Sequence, residues 1–506
     1  MRNRYTIIIP ALVATLLASC ADFEEININP NNPASVPPEM LLPPIISGAV
    51  STMTGSGDRA GQYVQHLAWV GGTSEGDGRY NLTGASYREE WNAAMRLIKD
   101  VNQLKEIAHA TDQPHYEAVG HVCKAYILSI VADAFGDIPY DEAGMGNVDG
   151  LEFPRYQSQQ EVYARVLEDL ESANQLFAAL PAGVVINRDI LYDGDPAAWR
   201  RFANALKLRV LARQSARIDV KNAIAAIFNN PALYPVFESV DDQAVLRYDN
   251  QTDLYRWFIN NPPADGSGVN FGDNGRVSDV MVDMLARDND PRLPVYAAPT
   301  RNSYNAHRAD PSVPLEYRGQ PAGLSASEQE ALYASTGTDN GDYSVIGKRL
   351  RVEDRAFLMT YAELLLIKTE AIARGTIAGD AAAEYRAAIS ASFDKWPVTT
   401  DAPGITVEMK NAYFTNPAIA YNPTRAIEQI AEQAWVDAFL NGFEGWSSWR
   451  RLGIPAIAPG PSVLAPVPVR YTYSDNEQNN PSLLRWINET MGGKMPDHNT
   501  KVWFQP

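Results

Sequence analysis

Asn422-Pro423-Thr424-Arg425-Ala426-Ile427-Glu428-Gln429-Ile430-Ala431-Glu432-Gln433-Ala434-Trp435-Val436-Asp437-Ala438 carries the clearest periodicity in this chain. Ile427, Ile430, Ala431, Ala434, Trp435 and Ala438 fall at i, i+3, i+4, i+7, i+8 and i+11, the spacing that lines one face of an α-helix. Asn422 before Pro423 supplies a helix start, because asparagine accepts from free N–H groups and proline has none to leave unpaired. Asn441-Gly442 is expected to cap the far end. One amphipathic face needs an apolar partner, so the fold turns on whether the rest of the chain supplies partners.

It supplies several. Ser158 and Glu161 have capping-box spacing ahead of Val162, Val166, Leu170 and Phe177, and Leu180-Pro181-Ala182-Gly183 closes that helix. Asp195-Pro196 opens another, with Trp199, Phe202, Ala203, Leu206 and Val210 on one face. Phe357, Tyr361, Leu364, Leu365 and Ile372 form a further stripe, stopped by Gly375. Two more helices are expected at about 88–109 and 114–134. The segments read as antiparallel pairs: 88–109 with 114–134, 157–180 with 196–216, and 355–374 with 379–395. Stacked helical hairpins bury such stripes against their neighbours. No strict period of about 34 residues runs through them, so a regular repeat array is not implied. The expected fold class is all-α, in stacked helix pairs. Residues 217 to about 350, and 442–506, differ in composition, being rich in Gly, Pro, Asn, Asp and Tyr. They read as loop-rich insertions that form an irregular subdomain of ordered, functional loops.

The N-terminus has a separate logic. Arg2 and Arg4 precede a short apolar run, Tyr5 to Ala18, broken by Pro10. Such a run suits a signal peptide better than a membrane span. Leu17-Ala18-Ser19-Cys20 then reads as a bacterial lipoprotein cleavage site. Residues 1–19 would be the lipoprotein signal peptide, and Cys20 the lipidated first residue of the mature chain. Acyl chains anchor by about 0.8 kcal/mol for each buried methylene. Asp22, Glu24 and Glu25 follow, an acidic start that resembles the surface-export signals of Bacteroidetes lipoproteins. Residues 20–45, with Asn27-Ile28-Asn29-Pro30-Asn31-Asn32-Pro33, read as an extended tether, and 46–506 as the body. No later stretch reads as long and apolar enough to cross a membrane.

The formal charge of −18, from 43 basic and 61 acidic residues, argues against nucleic acid or anionic headgroups as partners. Attachment to a membrane then falls to the lipid. The only other cysteine, Cys123, lies in the apolar run 122–128 and is expected to be a buried structural thiol. His109, His115, His121 and Cys123 are close in sequence, but their helical angles scatter them. Asp288-Asn289-Asp290 lacks the glycine and distal glutamate of an EF-hand and reads as a turn. Gly55-Ser56-Gly57-Asp58-Arg59-Ala60 lacks the preceding strand of a dinucleotide site. No metal or cofactor is expected, and no catalytic motif stands out.

Aromatic residues in polar loops are the remaining lead. Trp69 precedes the loop 71–80, which ends in Arg79-Tyr80. Tyr255 and Trp257 stand ahead of Asn260-Asn261-Pro262-Pro263, and Tyr304 and Tyr317 follow Pro299. Flat aromatic faces stack on the C–H faces of sugars while neighbouring Asn, Asp and Arg bond the hydroxyls. Trp69, Tyr80, Tyr255, Trp257, Tyr304 and Tyr317 are the candidate ligand-binding residues.

Several segments together resemble the SusD/RagB family of Bacteroidetes surface lipoproteins. They are Tyr361-Ala362-Glu363-Leu364-Leu365-Leu366-Ile367-Lys368-Thr369-Glu370-Ala371, the block from Ala426 through Gly445-Trp446-Ser447-Ser448-Trp449-Arg450-Arg451-Leu452-Gly453-Ile454-Pro455, and Asp133-Ala134-Phe135-Gly136-Asp137-Ile138-Pro139-Tyr140. Trp199 to Leu206 and Asp290-Pro291-Arg292-Leu293 match further blocks. Thr369 and Leu452 depart from the usual alanine and threonine. The resemblance implies a TPR-like core of stacked helix pairs with a loop-rich subdomain. It implies a non-enzymatic protein at the outer-membrane surface that captures glycans, or in some members peptides. It further implies a partner, a SusC-like TonB-dependent transporter. The matching blocks are scaffold, so no ligand-binding residue carries over from them. A lipid-anchored glycoside hydrolase and a helical scaffold that binds only proteins are the competing readings.

Overall fold

The computed structural model describes residues 36–69, 78–146, 151–247, 275–347, 355–396, 404–460, 463 and 465–506. The leader, Cys20, the tether as far as residue 35, Tyr255 and Trp257 lie outside the described residues. Helices α1 (Pro38–Tyr63), α2 (Arg88–Ala110), α3 (Pro114–Phe135), α4 (Gln159–Ala178), α5 (Pro196–Gln214) and α6 (Lys221–Phe228) come first. The loop-rich middle holds α7 (Asp279–Arg287), α8 (Arg301–Ala309) and α9 (Ala326–Thr336). Helices α10 (Tyr361–Ala373), α11 (Ala381–Asp394), α12 (Val407–Phe414), α13 (Ala426–Asp437), α14 (Gly442–Leu452) and α15 (Pro481–Thr490) complete the chain. Strands β1 (Leu67–Trp69) and β3 (Gly275–Val277) form one antiparallel ladder, and β2 (Ala244–Arg247) and β4 (Arg355–Met359) another. The fold is mostly helical, as expected, in the manner of a TPR-like stack.

All three expected helix pairs form: α2 on α3, α4 on α5, and α10 on α11. α3 packs still more extensively on α4, so the hairpins merge into a continuous stack. α13 lies against α10 and α14, and α1 packs on both α14 and α2, joining the two ends of the stack. Local chemistry sets the ends. Ser158 Oγ accepts from the Glu161 N–H in a full capping box, and the Asp195 carboxylate accepts from the Ala197 N–H. Gly375 ends α10 at φ +68°, a left-handed conformation that glycine adopts without strain.

Four expectations need correcting. Residues 355–359 are strand β4, not helix; Phe357 pairs with Val245 there, and α10 begins only after the Thr360 N-cap. Asn441-Gly442 does not close α13 but opens α14, with Asn441 Oδ1 accepting from the Glu444 N–H. Leu440, at φ +66°, makes the left-handed turn instead. α1 begins at Pro38, inside the stretch read as tether, because Leu42, Ile45, Ile46, Ala49 and Val50 give it a buried helical face. Finally, α3 is long and apolar enough to cross a membrane, yet 89% of its most apolar window is buried inside the protein. Its central window is apolar because neighbouring helices cover most of its surface, and each fully buried aliphatic side chain contributes about 1.5–3 kcal/mol. Cys123 lies in α3, buried, its thiol pushed up to about 12 by desolvation. The Gly55–Ala60 segment lies within α1 and forms no phosphate loop.

Asp290 is paired with an arginine two residues on. Its carboxylate takes both Arg292 Nε, at 2.9 Å, and Arg292 Nη2, at 2.5 Å. The same guanidinium reaches Ser392 Oγ at 3.1 Å and Gln433 Oε1 at 2.8 Å, so this turn is fastened to α11 and α13. Arg292 is fully buried. Removing one partner of such a pair leaves a buried charge uncompensated. Asp290→Ala should therefore cost about 3–5 kcal/mol, read as a lower denaturant midpoint, with part recovered in Asp290→Ala/Arg292→Met. An unchanged midpoint would contradict this account.

The seam between α1 and α13 adds a pH dependence. Trp435 Nε1 donates to the Val64 carbonyl at 3.0 Å, and the His66 ring lies 4.7 Å from the Trp435 ring. His66 is fully buried, and desolvation lowers its pKa from 6.5 to about 3, against a weaker interaction with the Trp435 backbone that raises it. Between those values the unfolded chain binds a proton that the folded chain refuses, so stability falls as pH drops. Relative to His66→Leu, the native protein should lose about 1.4 kcal/mol per pH unit below pH 6.5, measured by denaturant unfolding from pH 7 to 4. Parallel pH profiles for the two proteins would refute it.

Candidate functional site

The C-terminal end of α1 is where the helical stack meets the loops. Tyr63 is fully buried there, its ring 5.6 Å from that of Trp446 on α14. Gln65 follows at φ +54°, and its side-chain amide donates to the Ala458 carbonyl at 2.5 Å. Ser278 Oγ donates to the Gln65 carbonyl, which fixes the start of α7 beside the end of α1.

From this anchor a small irregular sheet spreads outward. β1 pairs with β3 in the register Leu67↔Val277, Ala68↔Arg276, Trp69↔Gly275. Arg276 then bridges to Val345, and Ser278 to Gln320. Ser344 N donates to the Arg318 carbonyl at 2.7 Å, and Thr300 N to the Glu316 carbonyl at 2.8 Å. One run of backbone bonds thus joins the strand carrying Trp69, the segment carrying Tyr317 and the N-terminus of α8, which carries Tyr304. Tyr304 and Tyr317 are both half-buried, and burial raises the pKa of the Tyr317 phenol. The side chain of Trp69 lies outside the described part of the structure.

Tyr80 joins the same lobe from a separate loop. Its ring meets Tyr63 edge-on, with centroids 5.8 Å apart, and it sits at φ +60°. Burial pushes its phenol up to about 12, against a hydrogen bond with the Gln65 side chain that pulls it down. One edge of Tyr80 is therefore structural. Arg79 beside it pairs with Glu328 at 2.7 Å and donates to the Gly323 carbonyl at 3.1 Å, tying the loop to α9. Four of the six aromatic candidates, Trp69, Tyr80, Tyr304 and Tyr317, thus share one lobe.

Sequence pattern did not reveal how the loops hold together. A Cβ on Gly323, at φ +73°, would stand 3.0 Å from Gly460 Cα and 3.2 Å from the Gly78 carbonyl oxygen. Three loops distant in sequence meet backbone to backbone there, which only glycine allows. Such a lobe, polar in backbone and studded with aromatic rings, can stack on and hydrogen-bond a polyhydroxylated ligand.

A family model described as starch-binding, associating with the outer membrane, matches residues 30–474. Among solved structures, a SusD homologue from Bacteroides fragilis NCTC 9343 matches with a TM-score of 0.77 at 24% identity, covering 93% of this chain and 99% of its own. A Bacteroides vulgatus ATCC 8482 protein, assigned to the outer membrane and to nutrient binding, matches with a TM-score of 0.76 at 26% identity, over 93% of this chain and 100% of its own. A chitin-binding protein matches with a TM-score of 0.73 at 25% identity, over 92% of this chain and 99% of its own. No curated protein sequence matches the chain.

Proposed function

The chain belongs to the SusD-like family, and from that premise we propose that it is a surface lipoprotein that captures oligosaccharides and passes them to a SusC-like TonB-dependent transporter. The observation that carries this reading is the family match across residues 30–474. It supports carbohydrate or nutrient binding in association with the outer membrane, by proteins that bind rather than catalyse. The chitin-binding neighbour favours glycans over peptides as the first ligands to try.

In this reading Cys20 carries the lipid and the following Asn/Pro-rich residues give the body reach. Trp69, Tyr80, Tyr304 and Tyr317, with Tyr255 and Trp257, supply the stacking faces. The lobe acts as a lid over the transporter, loading while open and unloading toward the pore. Capture needs no general acid or base. A hydrolase would instead need two carboxylates about 5–10 Å apart across the scissile bond.

Calorimetry with malto- and chito-oligosaccharides and with short peptides tests the ligand class. Trp69→Ala, Trp257→Ala and Tyr317→Ala should each cost about 1 kcal/mol, roughly fivefold in affinity. Unchanged binding in all three would remove the aromatic assignment, and product release from a labelled oligosaccharide would replace capture with catalysis. Cys20→Ala should shift the protein from the membrane fraction to the soluble one, and the native protein should co-purify with a TonB-dependent transporter.

A further inference from the structure

A cleft of about 550 Å³ opens where the C-terminal ends of α5, α10 and α14 come together beside α6. Pockets that hold small molecules span about 300–1,000 Å³. The cleft shares no residue with the aromatic lobe. Arg217, Lys221, Arg374 and Arg451 line it together with two carboxylates, Asp219 and Glu370. In a chain of net charge −18 this is a local inversion of sign.

Part of that charge has an ordinary cause. Cations near helix C-termini face the negative ends of the macrodipoles, and Arg374 and Arg451 stand at such ends. Both are also engaged: Arg451 grips Glu370 with two bonds, at 2.8 and 2.7 Å, and Arg374 Nε reaches the same carboxylate at 2.8 Å. Arg217 and Lys221 are different. Lys221 is the first residue of α6, where a cation opposes the helix dipole. Its ammonium has no hydrogen-bond or ion-pair partner among the described residues, and only its backbone N–H is used, on Asp219. Arg217 makes one long bond, 3.5 Å from Nη1 to the Gln505 carbonyl. Both side chains are exposed at the rim.

The interior of the cleft has two characters. Ile218, Val220, Ile224 and Ile367 give an apolar wall. Ile218 is 39% exposed, an apolar side chain without full cover at the mouth. Glu370 and Arg451 are shared with a smaller cavity of about 30 Å³, walled further in by Arg209, Glu363 and Glu444. That space suits a single water, so the inner end is polar.

We propose that this cleft is a second ligand site, taking a small oxyanion-bearing molecule the size of one or two sugar rings. Arg217 and Lys221 bind the anion, the free edge of the Arg374 guanidinium assists, and the isoleucine wall carries the carbon skeleton. This site stands whether or not the aromatic lobe binds glycans.

Isoleucine-methyl NMR of the whole protein reads it directly, because Ile218, Ile224 and Ile367 line the cleft. Glucuronate, inorganic phosphate and glucose are titrated separately. Glucuronate or phosphate should shift these three methyls saturably and less at high salt, whereas glucose should not. Arg217→Gln/Lys221→Gln changes only exposed side chains and should weaken binding about tenfold or more. Shifts from glucuronate alone assign a carboxylate on a carbon skeleton; equal shifts from phosphate assign the anion itself. No shift at these methyls, equal shifts from glucose, or unaltered affinity in the double variant would overturn the proposal.

Discussion

Arginine and carboxylate side chains meet in the buried space between α5, α10 and α14, and the rest of the molecule is arranged around their pairing. Arg209 holds Glu363 through two bonds, at 2.6 and 2.7 Å, and donates to the Leu358 carbonyl at 2.8 Å. Arg213 bridges Glu444, at 2.6 Å, and Asp133 of α3, at 3.1 Å. Arg450 donates to the Asp133 and Val469 carbonyls at 2.5 and 3.0 Å. Taking such charges out of water costs several kcal/mol each unless every partner is in place. Sliding or rotating one of these helices by a turn would strand several ions at once. The network is therefore better understood as fixing register than as adding net stability. By fixing α14 it also fixes the place of Trp446 against Tyr63, and so the point from which the aromatic lobe grows.

The helical half of this design was legible because a buried helix face repeats every third or fourth residue. Ser158, Asp195 and Gly375 marked their ends for the same local reasons that act in the folded chain. What failed was non-local. Phe357 extends the stripe of α10 in sequence, and only pairing with Val245, far earlier in the chain, makes it a strand. Asn-Gly after α13 fits a helix end as well as a helix start, and a leucine at φ +66° took the turn that glycine was expected to take. The most apolar window of α3 fits a membrane span until its neighbours are known. In the lobe, no local pattern relates Gly78, Gly323 and Gly460, although their contact sets the loop geometry.

The placement of the family-like blocks explains why they identify a fold and leave the ligand open. Glu363 belongs to Arg209, Arg451 to Glu370, and Arg292 to Asp290. Asp133 accepts from the Tyr163 hydroxyl, and Asp137 from Trp486 Nε1 at 2.9 Å. Thr369, a departure from the usual pattern, satisfies itself on the Leu365 carbonyl at 2.7 Å. Each of these polar groups is consumed inside the protein, and a substitution there strands a buried partner. The lobe obeys a weaker constraint. Its loops are held by backbone bonds and by the close glycine contacts of Gly78, Gly323 and Gly460. A scaffold fixed by such pairs is consistent with solved structures that share about a quarter of this chain's residues and keep one architecture. The loops are where periodicity and capping say least, so the blocks that identify the fold are silent on the ligand.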